Sequence, residues 1–100
     1  MTITLSVTEK KLETQAVPPR LYAVILLNDD YTPMEFVVQV LMDIFAMDLS
    51  RATQVMMQVH YQGRAMCGAF TKDVAEMKVM QVDALAIKAE HPLKTVIEPL

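Results

Sequence analysis

Six residues, Tyr22-Ala23-Val24-Ile25-Leu26-Leu27, form an unbroken apolar run rich in strand-forming side chains and too short for an ordinary helix. Pro18-Pro19 stands before it and Asn28-Asp29-Asp30 follows, so both ends are fenced by residues that interrupt regular structure. The segment reads as a buried strand, and the rest of the chain must supply what buries it.

The residues after the strand read as alternating helices and strands. Asn28-Asp29-Asp30-Tyr31 is a polar turn, and Thr32-Pro33-Met34-Glu35 carries helix-start chemistry. Thr32 is expected to cap, Pro33 to occupy the first helical position and Glu35 to complete a capping box. This helix should run to about Phe45, with Phe36, Val37, Val40, Leu41 and Ile44 inward. A second helix is expected from Asp48 or Ser50 to Gln62, with Ala52, Val55, Met56 and Val59 on one face and Gly63 terminating it. Arg64–Phe70 reads as a strand, Thr71 to about Ala89 as a third helix, and Leu93–Ile97 as a third strand after a turn at Glu90-His91-Pro92. The expected order is β-α-α-β-α-β. That suits an α+β two-layer sandwich, with a three-stranded antiparallel sheet covered by three helices.

A chain of 100 residues has room for one core. Residues 1–17 are polar and without sustained periodicity, and read as a flexible tail, with a short strand at Thr2–Val7 as the alternative. Residues 18–100 read as one domain. With 53% apolar residues, disorder throughout is excluded. The net charge of -3 and scattered basic residues offer no footprint for nucleic acid. No apolar stretch reaches the ~20 residues of a membrane span, and no signal peptide is visible. The single Cys67 excludes an internal disulfide and fits a reducing compartment, so the cytoplasm is the expected location.

Catalytic chemistry finds little support. Two glycines, Gly63 and Gly68, leave no phosphate-cradling loop. Cys67 lies within an apolar strand and reads as a small buried hydrophobe. His60, His91 and Cys67 stand on three separate elements without a second soft ligand nearby, so neither metal nor other cofactor is expected. The Asn28-Asp29-Asp30-Tyr31-Thr32 loop and His60, on the last turn of helix two, remain. Locally, the acids explain themselves as helix-dipole partners and turn formers, and the histidine as a helix C-terminal cation or a hydrogen-bonded imidazole.

Taken together, these segments resemble the ClpS family. The resemblance runs through Leu27-Asn28-Asp29-Asp30-Tyr31-Thr32-Pro33-Met34-Glu35-Phe36-Val37, Ala52-Thr53, Met56, Val59-His60-Tyr61-Gln62-Gly63, Cys67-Gly68, Phe70-Thr71, Val74-Ala75-Glu76, Lys78 and Glu90-His91-Pro92-Leu93. It spans about Pro18 to Glu98. It implies a non-enzymatic adaptor of the bacterial N-end rule pathway. Such an adaptor binds proteins whose first residue is Leu, Phe, Tyr or Trp and delivers them to a ClpA-type AAA+ unfoldase working with the ClpP peptidase. The implied fold is the same sandwich, shared with the C-terminal domain of the ribosomal stalk protein.

The resemblance also implies residue roles. Asn28, Asp29, Asp30 and His60 would receive the substrate's free amine. Thr32, Met34, Met56, Val59 and Leu93 would line the hole for its first side chain, with Met34 excluding β-branched residues. Asp73 and Lys78, at the start of helix three, would face the unfoldase, although Glu is the commoner residue at the first of these positions. A monomer is expected. The alternative reading is an interaction module like the stalk-protein domain, lacking an amine pocket. A hydrolase using Asp29, Asp30 and His60 lacks a nucleophile or an oxyanion donor.

Overall fold

The computed structural model describes residues 17–100. Its elements are β1 (Tyr22–Leu27), α1 (Met34–Phe45), α2 (Leu49–Gln62), β2 (Arg64–Phe70), α3 (Lys72–Lys88) and β3 (Lys94–Pro99), the order expected from the sequence. The three strands form one antiparallel sheet, with β1 in the middle, β2 on one side and β3 on the other. The expected tail, and the alternative strand at Thr2–Val7, lie outside the described residues except for Val17, which is exposed.

The fully apolar composition of β1 follows from its place. Its inward side chains, Val24 and Leu26, have no accessible surface. They share rows with Gly68 and Ile97, and with Ala65 and Thr95. The helices lie on this side, where Leu26 joins Val40, Leu41, Val55 and Val82 in the core. On the opposite side Ile25 is flanked by Met66 and Val96 in register. Arg64 and Glu98 reach diagonally across that row to pair at 2.6 Å. These neighbours keep Ile25 buried although, among the described residues, no helix covers that face.

Gly68 pairs with Val24 and Met66 with Ile25, so Cys67 is an extra residue in β2. This bulge reverses the inside-outside alternation beyond it. Ala69 therefore turns out to solvent and Phe70 turns inward, where its ring lies 6.2 Å from that of Phe45. Burial pushes the Cys67 thiol up to about 12, against a smaller opposing effect of the Leu26 backbone.

One helix start and one strand start differ from expectation. The capping box at Thr32 and Glu35 does not form. Pro33 is the cap residue of α1, and its carbonyl accepts the Phe36 and Val37 N–H groups. The Thr32 backbone N–H, which Glu35 would accept in a capping box, donates instead to Asp29, whose other oxygen accepts the Thr32 hydroxyl. At the other end of α1, Ala46 takes a left-handed conformation with φ 55°, and Lys78 from α3 donates to the Ile44 carbonyl at 2.8 Å. The third strand begins at Lys94, one residue later than expected, leaving Leu93 buried in the approach to it.

Candidate functional site

The loop after β1 is organised by Asp29. One carboxylate oxygen accepts the Tyr31 and Thr32 backbone N–H groups at 2.8 and 2.7 Å, and the other accepts the Thr32 hydroxyl at 2.7 Å. Burial alone would raise the Asp29 pKa. The Thr32 hydroxyl, the two N–H donors and nearby His91 outweigh it and hold the carboxyl below its ordinary value. Asp29 is thus a loop-forming anion whose oxygens are largely occupied. Asp30, beside it, is exposed.

A single backbone bond joins this loop to α2. The Asn28 N–H donates to the Gly63 carbonyl at 2.9 Å. Gly63 ends α2 with φ 87°. A Cβ there would meet nothing within 4 Å, so glycine is required by conformation and not by space. This clamp ties the loop to the last turn of α2, which carries His60, and Asn28 and His60 both line one cavity.

Between the loop, α1 and α2 lies a cavity of about 330 Å³. All nine residues expected at the amine and side-chain subsites line it. Asn28, Asp29, Asp30, Thr32 and His60 supply polar groups, and Met34, Met56, Val59 and Leu93 supply apolar ones. Met56, Val59 and Leu93 are buried, whereas Met34 is 44% exposed and free to adapt. Leu27, Tyr31, Pro33 and Val37 also line the cavity and were missed. Val37 was assigned to the core alone. Its position three residues beyond Met34 puts both on one face of α1, a signal available in the sequence. Among the described residues, no Lys or Arg lines the cavity. Among the described residues, no side-chain hydrogen bond engages Asn28, Asp30 or His60. Unengaged acceptors around an apolar floor suit a small cation attached to a hydrophobic group.

The expected unfoldase-facing residues lie elsewhere. Asp73 borders an open groove along α3 with Glu76, Met77 and Met80. Lys78 turns the other way, to the end of α1, with its ammonium 5.8 Å from the Phe70 ring centre. Among the described residues no group of three His, Cys, Asp or Glu side chains could hold a metal, and no helix is long and apolar enough to cross a membrane.

The family model described as "ATP-dependent Clp protease adaptor protein ClpS" matches residues 17–96. The chain belongs to the ClpS family. It is 54% identical over 90 residues to ClpS adapter proteins of Escherichia coli O1:K1 / APEC and of Shigella boydii serotype 18. Each alignment covers 90% of this chain and 85% of the relative. A solved structure of Agrobacterium tumefaciens ClpS2 bound to L-phenylalaninamide superposes with a TM-score of 0.80 at 42% identity, covering 83% of this chain and all of that one. ClpS membership gives the chain the character of a protease adaptor and disfavours the stalk-like alternative.

Proposed function

We propose that this ClpS protein binds substrate proteins by a free N-terminal Leu, Phe, Tyr or Trp and hands them to a ClpA-type AAA+ unfoldase. The observation that carries this reading is the convergence of four polar residues, Asn28, Asp29, Asp30 and His60, and five pocket residues on one cavity of about 330 Å³. A protein's α-amino group has a pKa of about 7.7–8.0, so it is substantially charged near neutral pH. It offers three donors, and the Asn28 side-chain oxygen and a neutral His60 nitrogen accept from it. Asp29 acts chiefly by shaping the loop, and together with Asp30 it supplies negative potential. The apolar wall takes the first side chain, whose burial contributes roughly 1.5–3 kcal/mol. With the charge-assisted hydrogen bonds, and after association costs, a Kd on the order of micromolar follows. Met34 closes over the cavity and excludes Val and Ile, whose branched Cβ is stiff.

Residues 1–17 act in handover and not in recognition. Asp73 and Lys78 contribute to unfoldase contact. The protein works as a monomer in the cytoplasm, in keeping with a single cysteine held as a buried free thiol.

Fluorescence anisotropy with peptides differing only in the first residue tests the reading. Leu and Phe should bind, while Ile and N-acetyl-Leu should not, and Asn28→Ala and His60→Ala should weaken binding of the first two. Equal binding of all four peptides, or of none, would overturn the assignment. Unfoldase binding is best compared through Asp73→Ala, because removing Lys78 also frees the Ile44 carbonyl.

A further inference from the structure

We propose that Tyr61 is a positioning residue for His60, its ring fixing the direction in which the imidazole faces the cavity. The proposal rests on the reading of His60 as an acceptor for a substrate amine. Three observations carry it.

The first is a contact that helix geometry does not supply by default. Consecutive side chains on a helix diverge by about 100°, so neighbours do not ordinarily touch. The His60 and Tyr61 rings nevertheless lie 5.0 Å apart at 73°, an edge-to-face arrangement. Both side chains must lean towards each other along the last turn of α2, and each then restricts the other.

The second is that His60 needs such a restraint. Its backbone is held by the helix and by the clamp between Asn28 and Gly63. Among the described residues no side-chain hydrogen bond holds the imidazole itself. An unrestrained ring could turn either nitrogen, or a carbon, towards the amine.

The third is the place of Tyr61. It is 75% exposed and does not line the cavity, whereas His60 does. An exposed ring outside the site, packed on a ring that faces into it, acts through that second ring.

A double-mutant cycle tests this on the full chain. With a Leu-first peptide, Tyr61→Ala should raise Kd about 2- to 12-fold, the span of an edge-to-face aromatic pair. Tyr61→Phe, which keeps the ring, should stay within about two-fold of the parent. In a His60→Ala background, Tyr61→Ala should cause no further loss. In the free protein, the His60 ring-proton resonances should move in Tyr61→Ala and hold in Tyr61→Phe, because the neighbouring ring current is lost only in the first. Parent-like binding by Tyr61→Ala, or the same loss in both backgrounds, overturns the proposal. If His60→Ala itself leaves binding unchanged, the amine-acceptor reading of His60 has failed instead. The resonances still decide whether the two rings pack together in solution, and unchanged shifts in Tyr61→Ala refute the proposal.

Discussion

Both carboxylate oxygens of Asp29 are taken by donors of their own loop, so substitution there acts on structure before it acts on recognition. Asp29→Ala should lose about 1–2 kcal/mol in urea unfolding and bind Leu-first peptides more weakly. The pKa of Asp29 is lower folded than unfolded. Its stabilisation is therefore fully present above the unfolded value of about 3.9 and is lost as pH falls through the folded value. Followed by NMR from pH 6 downwards, the Tyr31 and Thr32 amides should hold their shifts until about pH 4 and move below it. Thr95 presents the opposite case. Its hydroxyl is buried on the inner face of β3, with no hydrogen-bond partner among the described residues. Thr95→Val keeps the shape and removes the orphaned group, so the urea midpoint should rise by the equivalent of about 1 kcal/mol with an unchanged slope. An unmoved or lowered midpoint would mean that the hydroxyl has a partner in solution.

Among the elements, the extra residue in β2 has the widest effect, because it turns Phe70 towards α1 and α3. The ring then lies over Gly68, where an added Cβ would come within 2.6 Å of its edge. Gly68→Ala must displace a ring packed beside Phe45 and Lys78, and should cost about 1–3 kcal/mol by thermal or chemical unfolding. The bulge was not legible in the sequence, since one added residue leaves Arg64–Phe70 reading as an ordinary short strand. Element boundaries were legible where Pro, Gly or Asx residues fence them, as around β1 and at Gly63. Thr32 was misread because Asp29 and Glu35 compete for its backbone N–H, and only the folded loop shows Asp29 winning. The reach of Lys78 to a carbonyl 34 residues away left no local trace. Nine cavity residues were legible through the family resemblance. Periodicity alone had given Met56 and Val59 to the core and left the acids as helix-start residues.

For the molecule as a whole, the proposed function assigns recognition and handover to different stretches of the chain. The cavity draws on residues 27–93, and among the described residues nothing before Leu27 lines it. A chain beginning at Val17 should therefore bind Leu-first peptides with a Kd within about two-fold of the full chain, while delivery to the unfoldase falls. Equal loss of both would make the first residues part of the binding site. The sheet fits this division. Its inner face is used for the core, and the outer face is closed over Ile25 by Met66, Val96 and the Arg64–Glu98 pair.

The clamp between Asn28 and Gly63 is made wholly of main-chain atoms. Every amino acid but proline carries the N–H that position 28 contributes, and every residue carries the carbonyl that position 63 contributes. Side chains at the cavity can thus be exchanged by mutation while the spacing of its two polar halves persists. A lineage could retune which N-termini it accepts without rebuilding the frame that holds them. The glycine at 63 is the place where that freedom ends, because its φ of 87° suits few other residues.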